Sequence, residues 1–278
     1  MEHETVAQAA AAAKIKAGLL RHSPRQYFVL SALAGAYVGL GIVLIFAIGA
    51  PLAASGSGAV KAVMGVSFGV ALTLVIFAGS ELFTGNNLIM TVGALSRTAS
   101  LSALGKVWAV SFAGNLIGSM LLALATVASG VLGKPPARDF VLAAVAAKMT
   151  APALELFFRG ILCNALVCLA VWMSLRAKDE VARLVLIFWC LFAFIGSGFE
   201  HSVANMTLLT LGLFLPHDPA LVSWMGFARN LAVVTAGNIV GGALLIGLPY
   251  WYVALGQRRM LAVRPVEEAP VPVAAAAG

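Results

Sequence analysis

Charged residues are scarce in this chain: of its 278 residues only 10% are Asp, Glu, Lys or Arg, and 61% are hydrophobic. A soluble domain carries about 25% charged and about 45–50% apolar residues. This composition therefore excludes an ordinary water-soluble protein. The mean hydropathy is +0.98, and so much apolar surface needs lipid around it. We expect a protein that crosses a membrane several times.

Cysteine is also scarce, and its pattern carries no recognisable chemistry. Cys163, Cys168 and Cys190 lie in apolar runs at spacings that fit no zinc or redox motif. A buried free cysteine behaves as a small hydrophobic residue. We therefore expect these residues to be structural, with no metal and no other cofactor.

The formal net charge of +7 would suit a nucleic-acid partner, but the charges are in the wrong places for one. They lie in loops between apolar segments, and most of the 18 Lys and Arg residues fall on the side of both termini. Short cytoplasmic loops of membrane proteins carry such an excess. We expect no nucleic acid, a bacterial inner-membrane location and two cytoplasmic termini.

Six apolar segments are long enough to cross about 30 Å of hydrocarbon. They are Tyr27–Ala53, Lys61–Leu95, Leu104–Leu132, Pro152–Leu175, Val181–Leu215 and Leu221–Leu255. The predicted channel domain covers residues 27–256. Residues 1–26 are predicted to form a cytoplasmic helix along the membrane surface, and residues 257–278 a disordered cytoplasmic tail.

The second and fifth segments are interrupted by glycine, a carboxylate and other polar residues. Irregular backbone at membrane depth survives only where protein or a water-filled cavity satisfies its polar groups, so each interruption predicts a broken helix. Glu81 and Glu200 each precede an asparagine by five positions, Asn86 and Asn205. Similar breaks in two halves indicate a transport site.

A second pair of similar stretches supports a repeat of about 27–132 and 150–255. Ala113–Gly118 in the third segment is similar to Ala236–Gly241 in the sixth. Each half has three segments, an odd number, so the second half must run opposite to the first. The sequence thus predicts an all-α bundle with an inverted 3+3 repeat. The small residues also predict close helix packing.

His201 is the strongest candidate for a functional residue, because an ionisable side chain inside a membrane is energetically costly and usually has a functional role. Its imidazole can change charge near neutral pH. Thr84 offers a hydroxyl in the first break, or serves only as a turn residue. Glu81 and Glu200 are expected to support the breaks by binding backbone N–H groups or a neighbouring side chain, or as buried protonated carboxyls.

Three further polar residues have open interpretations. Lys148, just before the fourth segment, could attract an anion at a pore mouth or be an ordinary juxtamembrane lysine. Asn164 could bind a passing ion or a neighbouring helix. Asn86 could cap the half-helix that follows the first break, where a helix N-terminus would suit an anion.

Three stretches, Gly79–Asn86, Asn164–Trp172 and Ser197–Met206, resemble motifs of the formate–nitrite transporter family. The resemblance extends from about Ala32 to Tyr252. It implies an aquaporin-like six-helix protomer with broken helices 2 and 5, a homopentamer, and a pore through each protomer.

The resemblance also assigns roles by position. His201 matches the central histidine, Thr84 the threonine facing it, and Lys148 the vestibule lysine. The positions that line the family's two hydrophobic constrictions are Phe68, Leu72, Leu82, Phe83, Val167 and Phe194.

Details such as Ala34–Gly41, Lys148–Pro152 and Tyr250–Tyr252 are most similar to the members that carry nitrite. We therefore expect this protein to transport nitrite, a small weak-acid anion, and His201 to be able to protonate the anion in the pore. We do not expect an enzyme. Formate and hydrosulfide are alternatives. A metalloenzyme using Glu81, Glu200 and His201 as ligands and a pore for water are more remote ones.

Overall fold

The computed structural model describes the backbone of residues 2–262 and the side chains of residues 2–257. Within this part, the chain forms twelve α-helices and one π-helical segment. In order they are α1 (Glu2–His22), α2 (Pro24–Ala54), α3 (Val60–Ser67), α4 (Gly69–Phe77), α5 (Phe83–Leu95), α6 (Leu101–Ser129), α7 (Ala137–Thr150), α8 (Ala153–Arg176), α9 (Glu180–Gly196), α10 (Ser202–Phe214), α11 (Trp224–Ile239), the π-helical segment (Val240–Gly247) and α12 (Leu248–Ala262).

Five helical segments are long and apolar enough to cross a membrane: Pro24–Ala54, Val60–Phe77, Leu101–Ser129, Ala153–Arg176 and Trp224–Gln257. The predicted fifth crossing is absent from this set because it is divided into α9, of 17 residues, and α10, of 13 residues. Together α9 and α10 occupy the sequence of that predicted segment. The bundle thus has six crossings, and the fifth is made of two short helices.

The two predicted breaks are present, at residues 78–82 between α4 and α5 and at residues 197–201 between α9 and α10. Each contains a glycine in the left-handed region, Gly79 at φ 75° and Gly198 at φ 74°. Only glycine adopts this conformation at little cost. The two halves therefore turn the chain at equivalent places, as the inverted repeat predicts.

Small residues bring the long helices of each half into backbone contact. A Cβ atom added to Gly118 of α6 would lie 1.8 Å from the carbonyl oxygen of Ala32 in α2. One added to Gly241 would lie 2.2 Å from the carbonyl oxygen of Ile161 in α8. The close packing predicted for the third and sixth segments is confirmed.

Helix α1, predicted to lie along the membrane surface, packs on protein. Val6, Ala9 and Ala13 are buried, and a Cβ atom on Gly93 of α5 would lie 2.2 Å from the Cβ of Ala13. The alanine-rich face is flat enough to lie directly on α5. At the other end of the chain, α12 continues to Ala262, past the expected limit of the channel domain at residue 256. The rest of the predicted tail, residues 263–278, lies outside the described residues.

Candidate functional site

A narrow path connects cavities at the two ends of the bundle. The near vestibule, on the side of α1, has a volume of about 420 Å³ and is lined by residues that include Lys16, Glu81, Leu72 and Leu82. The far vestibule, on the opposite side, has a volume of about 650 Å³. Its lining residues include Lys148, Glu200, Phe194 and His201.

A small apolar chamber of about 10 Å³ lies between the two vestibules. It shares Leu72 and Leu82 with the near vestibule, and Phe194 and His201 with the far one. A chamber of this volume holds about one water molecule at most. An anion that passes through it must leave most of its hydration shell behind.

Five of the six predicted constriction residues line this chamber: Phe68, Leu72, Leu82, Val167 and Phe194. Phe83 does not line the chamber. It is the first residue of α5, next to α6, and its ring packs edge-on against Phe112 of α6 at 5.3 Å between centroids. Phe83 follows Leu82 directly in the sequence, so the sequence did not indicate that only Leu82 lines the chamber.

The two breaks meet at Thr84 and His201. Thr84 Oγ1 lies 3.0 Å from His201 Nε2, and both residues are buried. The imidazole also stacks on Phe194, with ring centroids 5.9 Å apart. His201 lines both the chamber and the far vestibule, whereas Thr84 reaches the path through its contact with His201.

His201 is also the N-cap of α10, and this contact determines where its proton lies. The backbone N–H of Ala204 donates to His201 Nδ1 at 3.1 Å. A ring nitrogen that accepts a hydrogen bond carries no proton, so the hydrogen-bond network assigns a neutral imidazole with its proton on Nε2. That proton points to Thr84 Oγ1 or to the path. Adding a second proton at Nδ1 requires the cap bond to open.

Two asparagines outside the breaks hold them open. Asn115 of α6 donates to the carbonyl oxygens of Ser31 (2.7 Å) and Glu81 (2.9 Å), and its Oδ1 accepts from the N–H of Phe83 (2.9 Å). The bonds to Glu81 and Phe83 satisfy backbone groups that a broken helix leaves without partners in an apolar surrounding.

Asn238 of α11 does the same in the second half. It donates to the carbonyl oxygens of Gly160 (2.8 Å) and Glu200 (2.9 Å) and accepts from the N–H of Ser202 (2.9 Å). The repeat thus extends from the helices to individual hydrogen bonds.

Each break carries a carboxylate that binds a lysine and the asparagine five positions later. Glu200 accepts from Lys148 Nζ at 2.7 Å and from Asn205 Nδ2 at 2.6 Å. Asn205 also donates to Asn230 Oδ1 at 2.9 Å. Of the two predicted kinds of partner for the Glu200 carboxylate, the structure places a neighbouring side chain next to it.

In the first half the lysine comes from α1. Lys16 Nζ lies 2.8 and 2.7 Å from the two carboxylate oxygens of Glu81. Tyr27 Oη and Asn86 Nδ2 lie 2.9 and 3.2 Å from Glu81 Oε2. Asn86 is therefore a partner of Glu81, and α5 begins after Leu82 without a side-chain cap.

Asn164 lies beside the breaks, but its side chain is hydrogen-bonded to neighbouring helices. Its Nδ2 donates to the carbonyl oxygen of Asn238 (2.7 Å), to Asn87 Oδ1 (3.0 Å) and to the carbonyl oxygen of Thr84 (3.3 Å). These acceptors occupy both amide hydrogens of a fully buried side chain. The contacts match the neighbouring-helix interpretation of Asn164 rather than the substrate interpretation.

The site residues predicted from the sequence did not include Lys16, Asn115 or Asn238. Both asparagines stood in the repeated Ala-Gly-Asn stretches, so their recurrence was a usable signal. Lys16 had none, because nothing in the sequence shows that α1 folds back onto the first break.

The metalloenzyme alternative finds no support in this geometry. Glu81 and Glu200 line different vestibules. Within the described residues, no three His, Cys, Asp or Glu side chains come close enough together to hold a metal ion.

Residues 3–252 match the family described as Formate/nitrite transporter. The chain belongs to this family. It is 47% identical over 252 residues to the Nitrite transporter NirC of Escherichia coli (strain K12), an alignment that covers 90% of this chain and 91% of that protein. This relative is a transporter, not an enzyme.

Two solved structures show the same fold for this member of the formate/nitrite transporter family. An FNT family ion channel is 46% identical, with a TM-score of 0.86 over 90% of this chain and 98% of that one. A pentameric formate channel with formate bound is 29% identical, with a TM-score of 0.72 over 83% of this chain and 97% of that one.

Proposed function

We propose that this protein carries nitrite across the bacterial inner membrane, through one pore in each protomer of a homopentamer with cytoplasmic termini. The observation that carries the proposal is the path itself: two vestibules, each with a lysine, separated by an apolar chamber with His201 on its wall. Similarity to NirC supports nitrite as the substrate, and the formate-bound relative supports the pentamer.

The vestibule lysines offer hydrogen-bond donors to the anion without trapping it. Lys148 and Lys16 are each paired with a carboxylate, so each pair has little net charge and does not bind a passing anion tightly. An ammonium group has three N–H donors, and Glu200 is the described acceptor for one of those of Lys148. Lys148 lines the far vestibule, so its other donors are available to an anion that enters there.

The chamber makes the charge of nitrite the main obstacle. Leu72, Leu82 and Phe194 offer no hydrogen bonds, and moving a bare charge through such an apolar layer costs several kcal/mol. A weak-acid anion lowers this cost by crossing as the neutral acid. Nitrite is therefore suited to the pore, and permanently charged anions are not.

His201 serves this step in one of two ways. In its neutral form, Nε2–H donates a hydrogen bond to the anion at the chamber wall. To give the anion a proton as well, the imidazole must first gain one at Nδ1, which opens the cap bond to Ala204. Substrate protonation and loss of the cap are then coupled.

Proteoliposome uptake of nitrite at several pH values tests this role, with His201→Asn and His201→Phe compared to the parent. Asparagine is a good N-cap and donates hydrogen bonds but does not titrate. We expect His201→Asn to keep folding and to lose the pH response, and His201→Phe to lose most uptake. If His201→Asn keeps the pH response of the parent, proton transfer by His201 is excluded.

Formate and hydrosulfide are the competing substrates. Similarity to a formate channel favours formate. Uptake of nitrite, formate, hydrosulfide and nitrate by the parent decides among them. We expect nitrite to be fastest and nitrate, the anion of a strong acid, to be slowest. Equal rates for nitrite and formate would remove the nitrite assignment and leave the anion pathway standing.

A further inference from the structure

Helix α1 lies over the near vestibule and is held at both ends. Near its C-terminus Lys16 binds Glu81, and near its N-terminus Glu2 lies 3.1 Å from Arg176 at the end of α8. Gln257 of α12 also donates to the Glu2 carboxylate. Ala12 and Lys16 form part of the vestibule lining, so α1 covers the axis of the path on this side.

Two clefts open beside α1. The portal cleft, about 790 Å³, lies between the first half of α1 and the α8–α9 connection, and Gln8 and Lys178 line it. The rear cleft, about 760 Å³, lies between the second half of α1 and the start of α6, and Gly18 and Lys106 line it.

The portal cleft adjoins the near vestibule, because Ile76, Val171 and Leu175 line both cavities. The lining residues of the rear cleft include none of those of the vestibule. The two clefts have similar volumes and the same helix as one wall, but only the portal cleft shares lining residues with the near vestibule.

The charge of the portal cleft suits an anion. Lys178 and Arg183 line it, together with Arg176, which is paired with Glu2, against the single carboxylate of Glu4. Arg183 Nε donates to the carbonyl oxygen of Ala177 at 3.1 Å, which holds this guanidinium at the cleft wall. A cleft with an excess of positive charge and apolar walls raises the local concentration of anions.

From this geometry we propose that the anion passes between the near vestibule and the water on that side laterally, through the portal cleft, with α1 in place as a roof. Lys178 and Arg183 are the residues that attract the anion at its mouth. This inference rests on the proposed function as an anion pore. It differs from axial passage, for which α1 would have to leave its site on α5.

Blocking the cleft tests the route. Gln8→Cys is labelled in detergent with a bulky maleimide, labelling is verified by mass spectrometry, and the protein is reconstituted for nitrite uptake. The native cysteines are buried and should react little with the maleimide. Parent protein treated with the same maleimide controls for any reaction at them. We expect at least a tenfold loss of uptake for labelled Gln8→Cys and full uptake for the unlabelled variant.

Gly18→Cys is the matched control, because it lies on the same helix in the rear cleft and a Cβ there meets nothing within 4 Å. Labelled Gly18→Cys should transport as the parent does. Full uptake by labelled Gln8→Cys would overturn the lateral route, and so would equal inhibition of both variants. Absence of uptake by the unlabelled parent would instead refute the proposed function.

A charge reversal tests the attraction separately. Lys178→Glu should lower nitrite uptake about three- to tenfold at low ionic strength, and the deficit should largely disappear at high salt, because salt screens exposed charges. Lys14→Glu, in the rear cleft, is the control and should change little. Equal effects of the two reversals would show that the mouth of the portal cleft does not guide the anion.

Discussion

Lys16 Nζ lies 2.7 Å from the carboxylate of Glu81 across 65 residues of sequence, and this contact ties the N-terminal helix to the first broken crossing. An equivalent ion pair joins Lys148 to Glu200 at the second break. Both lysines lie outside the repeats, in the helices that directly precede the first crossing of each half, α1 and α7. The same kind of ion pair thus occurs at both breaks.

Removing one member of the Lys16–Glu81 pair should destabilise the protein more than removing both. Lys16→Met leaves a largely buried carboxylate without its counter-charge, and such a change is costly. In a double-mutant cycle with Glu81→Gln, we expect a coupling energy of about 1–3 kcal/mol. Thermal unfolding of the purified protein in detergent measures it. Additive effects would show that the contact contributes nothing.

Asn238→Ala should damage the second break without touching the path. The change removes three hydrogen bonds to backbone groups in an apolar surrounding, and each bond contributes about 0.5–1.5 kcal/mol. We expect about 2–4 kcal/mol of lost stability and loss of nitrite uptake. Ser129→Ala, at the end of α6, is a suitable control, and a stable, active Asn238→Ala would contradict the role.

Gly118→Ala should disrupt the contact between α2 and α6, because its Cβ would lie 1.8 Å from a backbone oxygen. We expect a fall of the melting temperature by many degrees or loss of folded protein. Gly105→Ala is the control on the same helix, since nothing lies within 4 Å of its Cβ. The control should gain about 0.5–1 kcal/mol, as glycine-to-alanine changes inside helices do. Similar melting temperatures for the two variants would refute the packing argument.

Leu72→Ala should widen the chamber, whereas Phe83→Ala should not. Leu72 lines the chamber and the near vestibule, while Phe83 packs on α6. We therefore expect Leu72→Ala to admit nitrate and to raise its uptake relative to nitrite, measured in proteoliposomes. Phe83→Ala should lower stability and keep the selectivity of the parent. The reverse pattern would move the constriction to Phe83.

The N-terminal end of α1 should stay docked down to acidic pH. Hydrogen bonds from Gln257, from the backbone and from Arg176 lower the pKa of Glu2 from 4.5 to about 2. The ionised carboxylate therefore favours docking fully above about pH 4.5, and this contribution is lost as the pH falls from about 4.5 to about 2.

Hydrogen exchange of the first turns of α1, corrected for intrinsic rates, measures this pH dependence. Protection should be constant between pH 5 and 8 and fall only at lower pH. Glu2→Gln should show weaker protection with no such fall. A loss of protection near pH 6 would show that another group controls docking.

Much of this protein follows from the sequence alone, because each inference rests on local or periodic patterns. The scarcity of charge and six long apolar segments predicted the membrane bundle, since apolar surface must face lipid. The recurrence of Glu81–Asn86 as Glu200–Asn205 predicted the two breaks, since polar groups at that depth need a built environment. Thr84 and His201 stood out for the same reason, and the structure brings them together.

The tertiary structure alone decided which side chains meet across the bundle. It pairs Lys16 with Glu81, packs Phe83 against α6 and bonds Asn164 to neighbouring helices. These outcomes depend on how helices distant in the sequence pack, and neither residue type nor spacing encodes that. The sequence determined that the membrane bundle is broken twice. Packing determined that the breaks meet at one histidine, whose cap bond to Ala204 sets the position of its proton.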